Sequence, residues 1–247
     1  MLREILLSIL LTMGLYATDI TIAVSANVSY AIDELKEEFK KSHPSIDVRV
    51  ILGGSGKLTA QIQNHAPYQL FMSADMLYPN TLYKKGLAIT KPIIYAKGSL
   101  ALLSSKTRDF SSGLNILKQD TIEKIAIANP KTAPYGKATV EALKNANIYR
   151  DIRDKFIYGE SISQSVAYTI SATDIGFVAK SSLFSPHMRR FVEGREWIEV
   201  DPSLYQPINQ GVVILKNGQD NPSVEAFYNF ILSPKAKEIF QKFGYSR

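Results

Sequence analysis

The stretch AVSANVSYAIDELKEEF, beginning at Ala23, constrains this chain more than any other. An apolar strand breaks at a small polar turn, Ser25 and Asn27, and passes at once into an amphipathic helix. Val28, Ala31, Ile32, Leu35 and Phe39 follow helical spacing, so one face is apolar and the other carries Lys and Glu. Asn27 stands where an N-cap belongs. A helix start leaves backbone N–H groups unpaired at the positive end of the helix dipole, which suits an anion. One such turn is ordinary capping and carries little. This chain repeats it.

The second copy is DVRVILGGSGKLTAQIQ, in which Val48, Val50 and Leu52 alternate as a strand and Gly53 to Gly56 form a permissive turn. The helix is expected from Lys57, with Leu58 and Ile62 inward. The third, EKIAIANPKTAPYGKATVEALKNA, has Pro130 and Pro134 in its turn and a helix from about Tyr135. In the fourth, KFIYGESISQSVAYTI, Ser161 or Ser163 can cap a helix carrying Ile162, Val166 and Ile170. Strands alternating with helices argue an α/β fold. In parallel α/β sheets ligands sit beyond the carboxyl ends of the strands, so the four units can aim amides at one point.

With 247 residues, 45% of them hydrophobic, the chain can fill one or two domains. Residues 1–17 read as a secretory signal, with Arg3, an apolar run from Ile5 to Leu11 and a cleavage site at Leu15-Tyr16-Ala17. The run is too short to span a bilayer. There is no cysteine, hence no disulfide and no lipid-bearing residue at the signal's end. Export as a free, periplasmic, monomeric protein is expected. The net charge of +6 is spread over helix faces such as Lys36, Lys40 and Lys41 and interleaved with Glu, which argues against a nucleic-acid partner.

The first two turns belong to one region and the other two to a second, which begins at KGSLALLSSK after a crossing near Tyr95 to Ser99. PINQGVVILKNG reads as a strand returning to the first region. Two amphipathic helices follow, with Val224, Phe227, Ile231, Ile239 and Phe243 inward and Pro234 opening the last. Two lobes are therefore expected, 18–97 with 205–247 and 98–204, with a cleft between them suited to hinge closure.

At these turns, together with APYQLFMSAD and the ending SPKAKEIFQKFGY, the chain resembles the periplasmic molybdate-binding proteins of ABC transporters over essentially its whole mature length. The resemblance implies the two-lobed type II periplasmic binding fold, each lobe a mixed sheet flanked by helices. It implies a tetrahedral dianion, molybdate or tungstate, held between the lobes. A membrane permease with its ATPase would be the partner, and no cofactor is implied. Matched position by position, it makes Asn27 and Ser55 anion ligands through backbone N–H and side chain, and Tyr135 and Ile162 ligands through backbone N–H, with no direct bond to the metal. Some members contact the anion with a tyrosine hydroxyl where this chain has Ala179; the Tyr135 hydroxyl is the candidate replacement.

The chemistry of these residues agrees. All are neutral donors, and Lys57 and Lys137, close behind in opening helical turns, are expected in solvent. With no carboxylate among the ligands, a fully ionised oxyanion fits better than protonated phosphate, whose hydroxyl needs an acceptor. Another oxyanion, such as sulfate or phosphate, is the alternative ligand. Catalysis finds no support: His43, His65 and His187 are isolated, GGSGK is neither a nucleophile elbow nor a complete phosphate loop, and Asp75 in SAD reads as a helix cap.

Overall fold

Residues 19–246 are described by the computed structural model, in which the strand–turn–helix alternation becomes two five-stranded mixed sheets. The chain builds β1 (Ile20–Ser25), β2 (Val48–Gly53), β3 (Leu70–Met72) and β4 (Ile93–Gly98) in the first sheet. It crosses to the second for β5 (Leu100–Leu103), β6 (Ile125–Ala128), β7 (Phe156–Gly159), β8 (Ile175–Ala179) and β9 (Trp197–Glu199), then returns as β10 (Ile208–Ile214). The spatial orders are β2-β1-β3-β10-β4 and β7-β6-β8-β5-β9. In the first sheet β1 runs parallel to β2 and β3, and β10 is antiparallel to β3 and β4. The second repeats the plan, with β6 parallel to β7 and β8 and with β5 antiparallel to β8 and β9. The crossing is tighter than the sequence suggested: only Ser99 separates β4 from β5.

The helices are α1 (Ile32–Ser42), α2 (Ser55–Gln63), α3 (Leu77–Lys84), α4 (Pro134–Asn145), α5 (Tyr149–Ile152), α6 (Ile162–Ser171), α7 (Pro222–Ile231) and α8 (Pro234–Lys242). Successive strand residues point to opposite faces, and helices cover both, so the inner strands read as nearly unbroken apolar runs. Ile22 and Val24 of β1 pack with Leu35, Phe39, Phe227 and Phe240 from α1, α7 and α8. Ala23, between them, meets Leu58, Ile62 and Leu82 from α2 and α3 on the other face. In the second sheet Leu100 and Leu102 face Ala142 and Leu143 of α4, while Ala101 and Leu103 face Val166 of α6. Each large side chain buried in this way contributes roughly 1.5–3 kcal/mol. The segment read as an export signal, residues 1–17, lies outside the described residues. Among the described residues no helix is long and apolar enough to cross a membrane.

Candidate anion-binding site

The carboxyl ends of β1, β2 and β3 on one sheet and of β6 and β7 on the other point toward one place. Beyond β1 the chain does not enter an α-helix directly. Ala26–Tyr30 form a 3-10 turn, and α1 opens only at Ile32. Asn27 is therefore not the N-cap that the sequence suggested. Ser25 is the N-cap of the 3-10 turn and Ala31 that of α1, neither with a side-chain capping bond. The fully buried Asn27 amide lies instead against two residues distant in sequence, with Nδ2 2.9 Å from Gln210 Oε1 and 3.2 Å from the Tyr245 hydroxyl. The Asn27 carbonyl accepts from the Tyr245 hydroxyl at 2.9 Å and from Ser181 Oγ at 3.1 Å. These buried partners outweigh a local cap.

After β2, helix α2 opens at Ser55 itself, with Gly54 as its N-cap, rather than at Lys57. Ser55 Oγ lies 2.6 Å from Ser25 Oγ, and both accept from the Ala74 backbone N–H, at 3.1 and 3.0 Å. The pair holds two hydroxyl protons and uses one in its mutual bond, so the second is left to donate into the space beside it. Ser55→Ala removes the pair's bond and should weaken anion binding about tenfold, since a hydrogen bond to a charged partner contributes roughly 1.5 kcal/mol or more. Titration calorimetry reads this directly, and unchanged affinity would remove the hydroxyl pair from the site.

On the second sheet Pro134 takes the first position of α4 and brings no N–H, so Tyr135 supplies that helix's leading amide. Ser161 caps α6 by accepting from the Gln164 N–H at 3.3 Å, which makes Ile162 its first residue. Ser163, the other cap candidate, instead donates across to the Ala26 carbonyl at 2.8 Å. Further bonds join the sheets' turns: Gly56 N–H and the Tyr78 hydroxyl both reach the Thr132 carbonyl, each at 3.1 Å.

Asn27, Ser55, Tyr135 and Ile162 thus line one closed-down cavity of about 10 Å³, together with Ser25 and Ala74 and a few small neighbours. That is below the roughly 300–1,000 Å³ of pockets for organic ligands. No Lys, Arg, Asp or Glu lines it. Lys57 pairs with Glu160 at 2.9 Å, half exposed, and Lys137 is exposed. Asp75 sits outside the cavity and accepts from the Tyr78 N–H at 3.2 Å at the start of α3, where burial pushes its carboxyl up. Among the described residues no cluster of His, Asp and Glu could hold a metal ion.

Tyr135 borders the cavity, and its hydroxyl lies so close to Gly98 that a Cβ there would overlap it, and accepts from Gln210 Nε2 at 3.1 Å. The hydroxyl accepts this bond from the first sheet, and Ala179, the position it was a candidate to replace, closes β8 fully buried. Burial holds the Tyr135 and Tyr95 hydroxyls far above their ordinary range and pushes Tyr245 up to about 12, so these phenols stay neutral.

Gln210, Tyr245 and Ser181 are residues that sequence reasoning did not single out, and Ser25 was read only as part of a polar turn. Gln210 left one signal, a polar side chain at the head of the apolar run GVVIL, where the register of β10 slips between Gln210 and Gly211.

Comparison with known proteins bears on the family and the fold. The model of the bacterial extracellular solute-binding protein family matches residues 20–246. The chain is 33% identical to the molybdate-binding protein ModA of Azotobacter vinelandii, over 96% of this chain and 93% of that one. It is 35% identical to ModA of Rhodobacter capsulatus, over 93% and 88%. The solved Azotobacter vinelandii periplasmic molybdate-binding protein superposes with a TM-score of 0.84 at 28% identity, covering 92% of this chain and 99% of that one. The chain belongs to the bacterial extracellular solute-binding protein family.

Proposed function

We infer that the protein captures molybdate, and its near-isostere tungstate, outside the cytoplasm and delivers it to a membrane permease driven by an ATPase. The observation that carries this reading is the small, uncharged cavity on which the 3-10 turn at Asn27 and the helix starts at Ser55, Tyr135 and Ile162 converge. Such a cavity offers neutral donors and helix-terminus partial charge. Without a fixed cation the anion stays releasable. Without a lining carboxylate, no charged acceptor rewards a protonated oxyanion. The relatives named as molybdate-binding support the same ligand.

In this reading each sheet with its helices is a lobe, 18–97 with 205–247 against 98–204. The backbone amides of Asn27 and Ser55 bind from one lobe and those of Tyr135 and Ile162 from the other. The anion completes its shell only when the lobes meet, so it favours the closed form by its difference in affinity for the two forms. The protein acts as a periplasmic monomer. Competition calorimetry tests the ligand: molybdate and tungstate should bind far more tightly than sulfate or phosphate, and sulfate binding as tightly as molybdate would overturn the assignment.

A further inference from the structure

Asn27 and Gln210 meet in a buried knot of amides and phenols at the base of the cavity, and its hydrogen bonds do not close as they stand. Asn27 Oδ1 is buried without a partner. The Tyr135 hydroxyl accepts from Gln210 Nε2, yet no residue among those described accepts its own proton. The Tyr95 hydroxyl has one proton and two acceptors, Gln210 Oε1 at 2.8 Å and the Ser73 carbonyl at 3.2 Å. The oxygen and nitrogen of a side-chain amide occupy nearly equivalent positions, and the surrounding partners decide between them.

Turning both amides over together gives both Gln210 N–H groups an acceptor and the Tyr135 proton a carbonyl oxygen at the same distances, and gives up the Tyr245 bond to the Asn27 carbonyl. Gln210 Nε2 then donates to Asn27 Oδ1 at 2.9 Å and to the Tyr95 hydroxyl at 2.8 Å. The Tyr95 proton goes to the Ser73 carbonyl. The Tyr135 proton goes to Gln210 Oε1 at 3.1 Å. The Tyr245 hydroxyl donates to Asn27 Oδ1 at 3.2 Å, while Ser181 keeps the Asn27 carbonyl. One group then lacks partners, the Asn27 NH2, in the place of the orphaned oxygen of a residue that lines the cavity. A buried NH2 without an acceptor calls for one.

We propose that Gln210 is a positioning residue for selectivity: it holds the Asn27 amide with its NH2 toward the bound anion, making the cavity a shell of donors only. This rests on the oxyanion reading above and adds to it. With the amide in the opposite sense Asn27 offers an oxygen, which repels a fully ionised oxyanion and welcomes the hydroxyl of a protonated one. Gln210 bonds Asn27 and Tyr95 on its own sheet and Tyr135 on the other. One amide orientation is thereby tied to the meeting of the two sheets.

The test needs no variant at first. In 15N-labelled wild-type protein, the side-chain NH2 resonances of Asn27, assigned through its own backbone, should shift on titration with sodium molybdate, alongside the backbone amides of Ser55 and Ile162. Backbone shifts with a stationary Asn27 NH2 would overturn the inference and leave the ligand assignment intact. If no cavity amide responds, the ligand assignment falls and this inference with it. Gln210→Met then removes the orienting amide without adding charge. It should narrow the ratio of molybdate to phosphate affinity about tenfold and weaken the Asn27 NH2 response. A ratio unchanged in a folded variant would overturn the role, because loss of packing alone weakens both anions alike.

Discussion

Gly136→Ala is expected to lower the melting temperature by roughly 6–12 °C and to weaken anion binding at the same time. A Cβ at this position would overlap the Ala128 carbonyl oxygen and lie 2.7 Å from the Ala128 carbonyl carbon and 2.9 Å from that of Asn129. All three are backbone atoms where β6 passes into its turn, so no side chain can rotate away. The added methyl can be housed only if α4 lifts off β6. Overpacking of this kind costs about 3 kcal/mol, and 1 kcal/mol corresponds to roughly 2–4 °C in a chain of this size. The Tyr135 amide is the neighbouring residue and leads the same helix, so it leaves the cavity with the helix. Thermal unfolding and calorimetry on one sample check both halves. A variant as stable as wild type would show that α4 does not seat on β6 through this glycine.

The same helix shows what was legible in the sequence. Ile125 to Ala128 and the proline-bearing turn announce a strand, a break and a helix start, because these signals are local: strand propensity, a proline tolerated only at a first turn, and apolar spacing. Local signals likewise placed Asn27, Ser55 and Ile162 at turns, and these residues line one cavity with Tyr135. What the sequence did not disclose is how those side chains are oriented. Asn27 looks like a cap because capping is the local role open to an asparagine before a helix. Its actual partners, Gln210 and Tyr245, lie 183 and 218 residues away. Ser25 reads as a polar turn residue until β2 and β3 pack on either side of β1 and bring Ser55 and Ala74 to its hydroxyl. The Tyr135 hydroxyl, the candidate replacement at Ala179, is drawn to Gln210 for the same reason: the sheets meet there, and a buried phenol takes the polar partner it is given. Periodicity locates elements, while long-range pairing decides which atoms face the cavity.

Ile162→Pro isolates a backbone contribution that no side-chain truncation can reach. Ile162 is the first residue of α6, where the N–H has no partner within the helix and proline is well tolerated. The preceding Ser161 already has φ −137° and ψ 167°, the extended backbone that a following proline requires. Its capping bond to the Gln164 N–H does not involve Ile162 and survives. Proline therefore removes one N–H from the cavity and leaves the helix in place. If that amide donates to the anion, affinity should fall roughly ten- to a hundredfold, since a hydrogen bond to a charged group contributes about 1.5–3 kcal/mol. The buried Ile162 side chain is lost as well, and Ile162→Val measures that part. Valine keeps the N–H, so it should cost about 0.5–1.5 kcal/mol of stability and leave affinity nearly intact. Proline weak and valine strong would place the amide in the anion's shell. Equal affinities in the two variants would assign the effect to the side chain and remove Ile162 from the ligand set.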